Sequence, residues 1–222
     1  MTTMRTYGDG CGIAHALDVV GERWALLVVR ELLLGPKRFT DLRDGLPNAS
    51  PNVLAHRLRE LEEAGIVRRG KLPPPAGSRV YELTDWGTEL KPIVISLGKW
   101  ALLSPSFPAG APVGTDSVIL ALGTFFDADG AGDLTARYEL RLGEHTFSVL
   151  IADGEIDLGR RAVDEPDAVI ATDATTLSAV IWQGRDLADA IRAGDVTIEG
   201  DARVVTRFLE LFPHPQPAAA AA

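Results

Sequence analysis

Polar side chains recur through residues 50–64 at spacings that would place them on one side of a helix. Asn52, His56 and Arg59 stand four and three residues apart, and Arg57 falls on the flank of that side. Amide, imidazole and guanidinium groups are the donors and acceptors that bind base edges and phosphates in the major groove of DNA. The pattern therefore predicts a nucleic-acid contact.

The same stretch carries the start and stop signals of a helix. Ser50 is a good N-cap, Pro51 is tolerated at the first helical position, and Gly65 suits a left-handed C-terminal cap. The side opposite the polar residues is a leucine stripe at helical spacing: Leu54, Leu58 and Leu61. A short helix packed by Phe39 and Leu42 precedes it, so the spacing predicts a helix-turn-helix whose second helix enters the major groove.

A basic hairpin is predicted to follow. Residues 66–69 and 79–83 have strand composition, and the proline-rich segment 71–78 between them suits a protruding wing. A solvated basic hairpin on an ordinary helical domain is the alternative, but helix, glycine and hairpin together favour a winged helix-turn-helix. Base contacts are predicted for Asn52 and Arg57, phosphate contacts for Ser50, Lys37, Arg38, Lys71 and Arg79, and further DNA contacts for His56 and Arg59.

The charge is divided unevenly along the chain. The net charge of the 222 residues is −9. Residues 1–110 carry 14 Lys and Arg against 12 Asp and Glu, whereas residues 111–222 carry 8 against 19. This asymmetry predicts two domains with different partners, of which only the first would attract a polyanion.

Composition excludes several protein classes. A single cysteine, Cys11, rules out an internal disulfide and a cysteine-rich zinc site. No apolar run reaches the length of a membrane span and no signal-peptide pattern is present, so we expect a cytoplasmic protein without membrane contact. The four histidines are scattered and no nucleophile or phosphate-loop motif occurs, so the sequence predicts neither an enzyme nor a metal or cofactor.

Apolar helices flank the predicted DNA-binding motif. Residues 11–20 and 24–34 are helical in pattern, and a long amphipathic helix follows Thr84, with Pro92 either kinking it or marking its start. That helix either packs on its own core or, with the first helix, builds a two-fold dimer. A homodimer would place two reading helices on one face of a duplex.

Several runs of residues resemble the HxlR-type bacterial regulators over residues 8–103. They are Cys11-x3-His15 with the residues up to Trp24, Arg38-Phe39-x2-Leu42, Leu54-x2-Arg57-Leu58-x-Glu60-Leu61 up to Arg69, and Arg79-Val80 up to Leu83-Thr84-x2-Gly87. The resemblance implies a dimeric winged-helix transcription factor that reads a double-stranded operator with residues 50–64. Glu22-Arg23 stands where the family has Gly-Lys, and the wing tip has an extra proline.

Cys11 aligns with the family's N-terminal cysteine, which in some members is a redox or electrophile sensor. Such a role requires an exposed thiol with a lowered pKa. Arg5, His15 or Arg23 would favour it, whereas Asp9 and Asp18 would oppose it. A small buried hydrophobic residue is the alternative.

A linker, residues 104–114, separates this half from residues 115–212, which alternate strands and helices and give an α+β chain as a whole. The segment from Asp127 to Asp133 is predicted to be a turn. Residues 166–173, a helix pair around Gly184 and residues 190–201 resemble the sterol-carrier-protein-2 (SCP2) fold. This α/β sandwich implies an apolar tunnel for a hydrophobic small molecule. Its predicted lining, for which ordinary core is the alternative, is Phe125, Phe126, Ile181, Trp182 and Phe208.

Residues 213–222 are predicted to be a disordered tail. The sequence as a whole thus predicts a sequence-specific, dimeric DNA-binding transcriptional regulator. Its second domain either senses an apolar effector, supports the dimer or contacts another protein. The alternative is a carrier of an apolar small molecule that does not bind DNA.

Overall fold

The structure, a computed structural model, describes residues 6–72, 77–108 and 111–213. The chain divides into two compact units, Met1–Val94 and Ile95–Ala222. Residues 73–76 of the predicted wing tip, residues 109–110 of the predicted linker and residues 214–222 of the predicted tail lie outside the described residues. No helix among the described residues is long and apolar enough to cross a membrane.

The first unit contains a helical core and a hairpin. Its elements are α1 (Gly12–Val20), α2 (Ala25–Leu32), α3 (Phe39–Gly45), α4 (Pro51–Glu63), β1 (Val67–Lys71), β2 (Arg79–Leu83) and α5 (Asp85–Thr88), and α6 (Leu90–Leu102) begins within it. The leucine stripe of α4 is buried in the core with Val28 and Val29 of α2. The helix-turn-helix and the hairpin of the predicted winged motif are therefore both present.

Two boundaries in this unit differ from the predicted ones. The second helix begins at Ala25 because Trp24 adopts a left-handed backbone conformation, with φ of 78°. The helix predicted after Thr84 is two helices, because the Thr84 hydroxyl caps the short α5 and Pro92 lies in the first turn of α6. Pro92 thus marks the start of the long helix, where its missing N–H would have no helical partner.

The second unit is a mixed sheet with helices on one face. Its elements are α7 (Thr115–Phe125), α8 (Ala128–Ala131), β3 (Ala136–Leu142), β4 (His145–Ala152), β5 (Glu155–Gly159), β6 (Ala168–Thr172), α9 (Ala174–Trp182), α10 (Leu187–Arg192), β7 (Thr197–Gly200) and α11 (Ala202–Glu210). The strand order is β5-β4-β3-β6-β7, and only the β3–β6 pair is parallel. The α+β class predicted for the whole chain is confirmed.

Alternation along the strands decides which face of this sheet carries the helices. Tyr138 and Leu140 of β3 lie beside Val149 and Phe147 of β4, and all four are fully buried. Tyr138 contacts Phe208 of α11 with ring centroids 4.6 Å apart. The predicted turn after Asp127 is instead the single helical turn α8, because the Asp127 carboxylate accepts the Gly130 N–H at 3.0 Å.

Candidate functional site

Ser50 caps the N-terminal turn of α4, and this turn is exposed to solvent. The Ser50 hydroxyl accepts the Val53 N–H at 3.4 Å, so the helix begins at Pro51. Asn52 and Val53 are exposed beside it. Arg59 is also exposed, and its Nε donates to the Ala55 carbonyl at 3.4 Å, back along the helix. These residues form the outer face opposite the buried leucines, as the sequence predicts.

Arg57 lies on the inner side of the helix, not on this outer face. It is 8% exposed, and its Nε donates to the Arg23 carbonyl at 3.1 Å. Its Nη atoms pair with Glu60 and, at 3.5 Å, with Glu22. Because the guanidinium is committed within the protein, this placement does not favour the predicted base contact. Arg57 instead ties α4 to the turn that precedes α2.

Lys37 is likewise turned inward. It is 7% exposed, and its Nζ lies 2.6 Å from Glu31 Oε2. Arg30 binds the other oxygen of this carboxylate at 2.7 Å, and the Lys37 backbone pairs with Tyr81 of β2. A phosphate contact by Lys37 is therefore not favoured. Sequence reasoning missed Glu31, although an acidic residue within the apolar helix 24–34 is a signal for a buried ion pair.

Two other predicted DNA-binding residues have partners at the surface. Arg38 is exposed, and its Nε lies 3.3 Å from Asp41, which also accepts the Arg38 backbone N–H at the start of α3. His56 Nε2 lies 3.2 Å from Glu60. Both side chains remain accessible on the helix-turn-helix, so their DNA contacts stay predictions.

Among the described residues, two basic side chains of the hairpin are paired with carboxylates and two are not. Arg68 is bound to Glu82 at 2.9 Å across the strands, and Arg69 is bound to Glu62 at 3.1 Å. Lys71 and Arg79 are register partners at the end of the hairpin that leads to the tip. Both are exposed, and neither makes an ion pair within the part of the chain that the structure describes. These two positive charges are the ones available to a phosphate.

Apolar side chains are exposed on α1 and α6. On α6, Leu90 and Val94 pack against the core, whereas Ile93, Leu97 and Trp100 face outward, Trp100 with 73% exposure. On α1, Ile13 and Leu17 are exposed. The long helix therefore both packs on its own core and presents an unpartnered apolar stripe.

Cys11 lies at the N-terminal cap of α1 and is exposed. The backbone N–H groups of Ala14 and Ile13 in the first helical turn hold the pKa of its thiol below the usual value. Asp9 is turned away to the backbone, where it accepts the Cys11 N–H at 3.0 Å. Arg5 lies outside the described residues.

The second unit contains a cleft of about 640 Å³ between α9, α10 and α11. Its lining is mostly apolar with two carboxylates and one hydroxyl: Val180, Ile181, Asp186, Leu187, Ala188, Ile191, Thr206, Leu209, Glu210, Phe212 and Pro213. Of the predicted lining residues, only Ile181 belongs to it. Phe208 is fully buried against Tyr138 and Phe212. Phe125 and Trp182 contact each other edge to face, with ring centroids 5.9 Å apart.

Phe126, the remaining predicted lining residue, contacts Phe212 with ring centroids 6.3 Å apart. Phe212 is the aromatic residue of the lining, and sequence reasoning missed it because its position follows from the end of α11 and not from any motif. Among the described residues no group of three or more His, Cys, Asp or Glu side chains is arranged to hold a metal ion.

Comparison with known proteins places the first half of the chain. The family model described as HxlR-like helix-turn-helix matches residues 19–104. The uncharacterized HTH-type transcriptional regulator YvaP of Bacillus subtilis is 43% identical over 94 residues, which are 41% of this chain and 87% of that protein. The chain belongs to the HxlR-like helix-turn-helix family. It is a DNA-binding transcriptional regulator.

Another HxlR-like relative is the HTH-type transcriptional regulator YodB of Bacillus subtilis, 38% identical over 39% of this chain and 77% of that protein. The family model described as alkyl sulfatase C-terminal matches residues 115–218. A double mutant of the sec-alkyl sulfatase PisA1 is 18% identical over 47% of this chain and 17% of that chain, with a TM-score of 0.44. A likeness at that level supports no functional conclusion for the second half.

Proposed function

We propose that this HxlR-like regulator binds a two-fold symmetric operator as a homodimer, with α4 in the major groove and the hairpin on the flanking backbone. The observation that carries the proposal is the outer face of α4, where Asn52, Val53 and Arg59 are exposed. On the hairpin, Lys71 and Arg79 are exposed and make no ion pair among the described residues. His56 completes this face, and Ser50 and Arg38 lie at the helix starts, where phosphates bind.

The apolar stripe of α6 and the exposed side chains of α1 supply the proposed dimer interface. Ile93, Leu97 and Trp100 follow helical spacing, and a contiguous apolar surface of this kind marks a protein contact. A two-fold interface would repeat the α4 helices on one side of a duplex, about one helical turn apart. Half-sites should then be separated by about 10 base pairs from centre to centre.

We further propose that residues 1–103 and 115–212 are separate domains joined by the linker 104–114, and that the second is an SCP2-like module. A sheet with helices on one face supports this. Its cleft would hold an apolar effector against Ile181, Leu187 and Ile191. The cleft also favours the second candidate function, a carrier of an apolar small molecule.

The deciding experiment is fluorescence anisotropy of the full chain on the DNA upstream of its own gene and on a random duplex, across a salt series. Tight binding to the upstream DNA alone, with log K falling by about 0.9 per phosphate contact per decade of salt, supports the proposal. Absence of binding to either duplex at low salt contradicts it and favours the carrier.

Uptake of a fluorescent apolar probe such as Nile red tests the cleft. Ile191→Glu introduces a carboxylate into the lining and should abolish uptake. Ala193→Glu is the matched control, because it introduces the same group at an exposed neighbouring position outside the lining. Equal uptake by both variants would remove the cleft as the effector site.

A further inference from the structure

The first turn of α4 presents a hydrophobic side chain to solvent next to a polar one. Val53 is 40% exposed, and only its backbone N–H takes part in the Ser50 cap. Valine is a weak helix former because its branched side chain loses rotamer freedom. Neither helix propensity nor burial within the first unit therefore accounts for a valine at this position.

Asn52 beside it has an uncommitted amide. It is exposed, and within the described residues its side chain makes no hydrogen bond. The amide therefore offers one donor and one acceptor in a fixed spacing to whatever faces this turn. Adenine presents the complementary pair, the N7 acceptor and the N6 donor, in the major groove.

The side chain that would read guanine is absent from this turn. Arginine is the usual partner of guanine O6 and N7, but Arg57 is held by the Arg23 carbonyl. Arg59, two turns into the helix, lies back over the Ala55 carbonyl, and His56 is engaged by Glu60. What remains at the tip of α4 is an amide and two methyl groups.

We propose that Asn52 and Val53 together read an A·T step in each half-site, resting on the insertion of α4 proposed above. The Asn52 amide donates to adenine N7 and accepts from adenine N6. The Val53 methyl groups pack on the C5-methyl of a neighbouring thymine. This apolar contact is the direct signature of thymine in the major groove.

The test begins with selection of preferred sites from a randomised palindromic duplex library by the full-length protein. Anisotropy then compares the selected duplex with a copy in which the relevant thymines are replaced by uracil, which lacks only the C5-methyl. Loss of one methyl contact should weaken the wild-type complex by about fourfold per half-site. The Val53→Ala variant should bind both duplexes equally.

Asn52 is tested with 7-deazaadenine, which removes the N7 acceptor. The modified duplex should bind the wild-type protein about tenfold more weakly per half-site than the unmodified duplex. Asn52→Ala should bind the two duplexes with equal affinity. Arg79→Ala is the matched control, since loss of a phosphate contact should weaken all duplexes alike and keep both ratios. Both substitutions in α4 are at exposed positions, so folding is preserved.

Two outcomes would overturn the inference: full discrimination of thymine from uracil by Val53→Ala, or selected half-sites with G·C pairs where these residues lie. Either one would still show specific operator binding by the regulator. Failure of the selection to enrich any site would instead count against the proposed operator binding itself, so the two failures are distinguishable.

Discussion

The guanidinium of Arg57 donates from Nε to the carbonyl oxygen of Arg23, 3.1 Å away. This bond joins α4 to the turn between α1 and α2, where Trp24 holds a left-handed backbone conformation. The carbonyl at the turn is thereby satisfied by a side chain from α4, and Arg57 orients the helix from within the first unit.

Replacing Arg57 should therefore lower the stability of the first unit, and any change in DNA binding should follow from that loss. Arg57→Ala leaves the Arg23 carbonyl without its donor and should lower the free energy of unfolding of the first unit by about 2 kcal/mol. Arg59→Ala, on the exposed side of the same helix, should change it by less than about 0.5 kcal/mol. Hydrogen exchange of the α4 amides measures both, and wild-type protection in Arg57→Ala would contradict the positioning role.

Lys37 and Arg38 are adjacent in sequence, but replacing them should change different properties, stability for Lys37 and DNA binding for Arg38. Lys37→Met removes the ammonium partner of the buried Glu31 and leaves it the Arg30 guanidinium, so the expected cost in stability is about 2 kcal/mol. Arg38→Met should leave stability nearly unchanged and weaken DNA binding. The double variant Glu31→Leu with Lys37→Met should recover most of the loss, because the buried carboxylate is gone and the Arg30 side chain that loses its partner is partly exposed. Thermal unfolding of the three variants measures the difference, and a stable Lys37→Met protein would refute it.

The wing cations should contribute to all duplexes equally. Lys71→Ala and Arg79→Ala should each lower the magnitude of the salt slope, d log K/d log [salt], by about 0.9, with no change in sequence preference. Arg68→Ala removes a cation that is already neutralised by Glu82 and should have the smaller effect. An Arg68→Ala loss equal to that of Arg79→Ala would show that pairing on the hairpin does not decide phosphate contact.

Asp173 makes the stability of the second unit depend on acid pH. Partial burial alone raises the pKa of its carboxyl, but hydrogen bonds from Thr176 and Thr175 and the charge of Arg185 bring the pKa below its usual 3.8. A depressed pKa stabilises the folded state above the ordinary value, and this stabilisation is lost as pH falls through the folded value. Asp173→Asn should therefore cost up to about 1 kcal/mol at pH 7, because a neutral amide lacks the attraction of the carboxylate to the helix N-terminus, and progressively less below pH 3.8.

Urea unfolding of the second unit at several pH values checks this expectation. Asp186→Asn at the cap of α10 is a useful comparison, because Asp186 also caps a helix, accepting the Asp189 N–H at 2.9 Å. A pH-independent difference between Asp173→Asn and the wild type would contradict the linkage.

The exposed thiol of Cys11 should react with oxidants. If it is the proposed sensor, diamide should change the operator affinity of the wild type and leave Cys11→Ser unaffected. The lowered pKa of the thiol predicts that alkylation by iodoacetamide proceeds at lower pH than for an ordinary cysteine. A Cys11→Ser protein whose DNA binding still responds to diamide would end the sensing hypothesis.

Local signals in the sequence sufficed for the elements and for the family. Ser50-Pro51 marks the start of α4, Gly65 its end, and the leucine stripe its buried side, because capping and helical periodicity depend on a few neighbouring residues. The alternation of β3 and β4 likewise follows from the period of a strand. The motifs of residues 8–103 were enough to predict an HxlR-like regulator.

Only the tertiary structure decided which charged and aromatic side chains are available. Arg57 and Lys37 are basic residues like Arg59 and Arg38, but their partners, the Arg23 carbonyl and Glu31, come from another helix or turn of the fold. Phe208 and Phe212 are both buried, but only Phe212 also lines the cleft, for the same reason. Long-range contacts satisfy or expose a group regardless of its spacing, so periodicity predicts the face of a helix but not the partner that meets it.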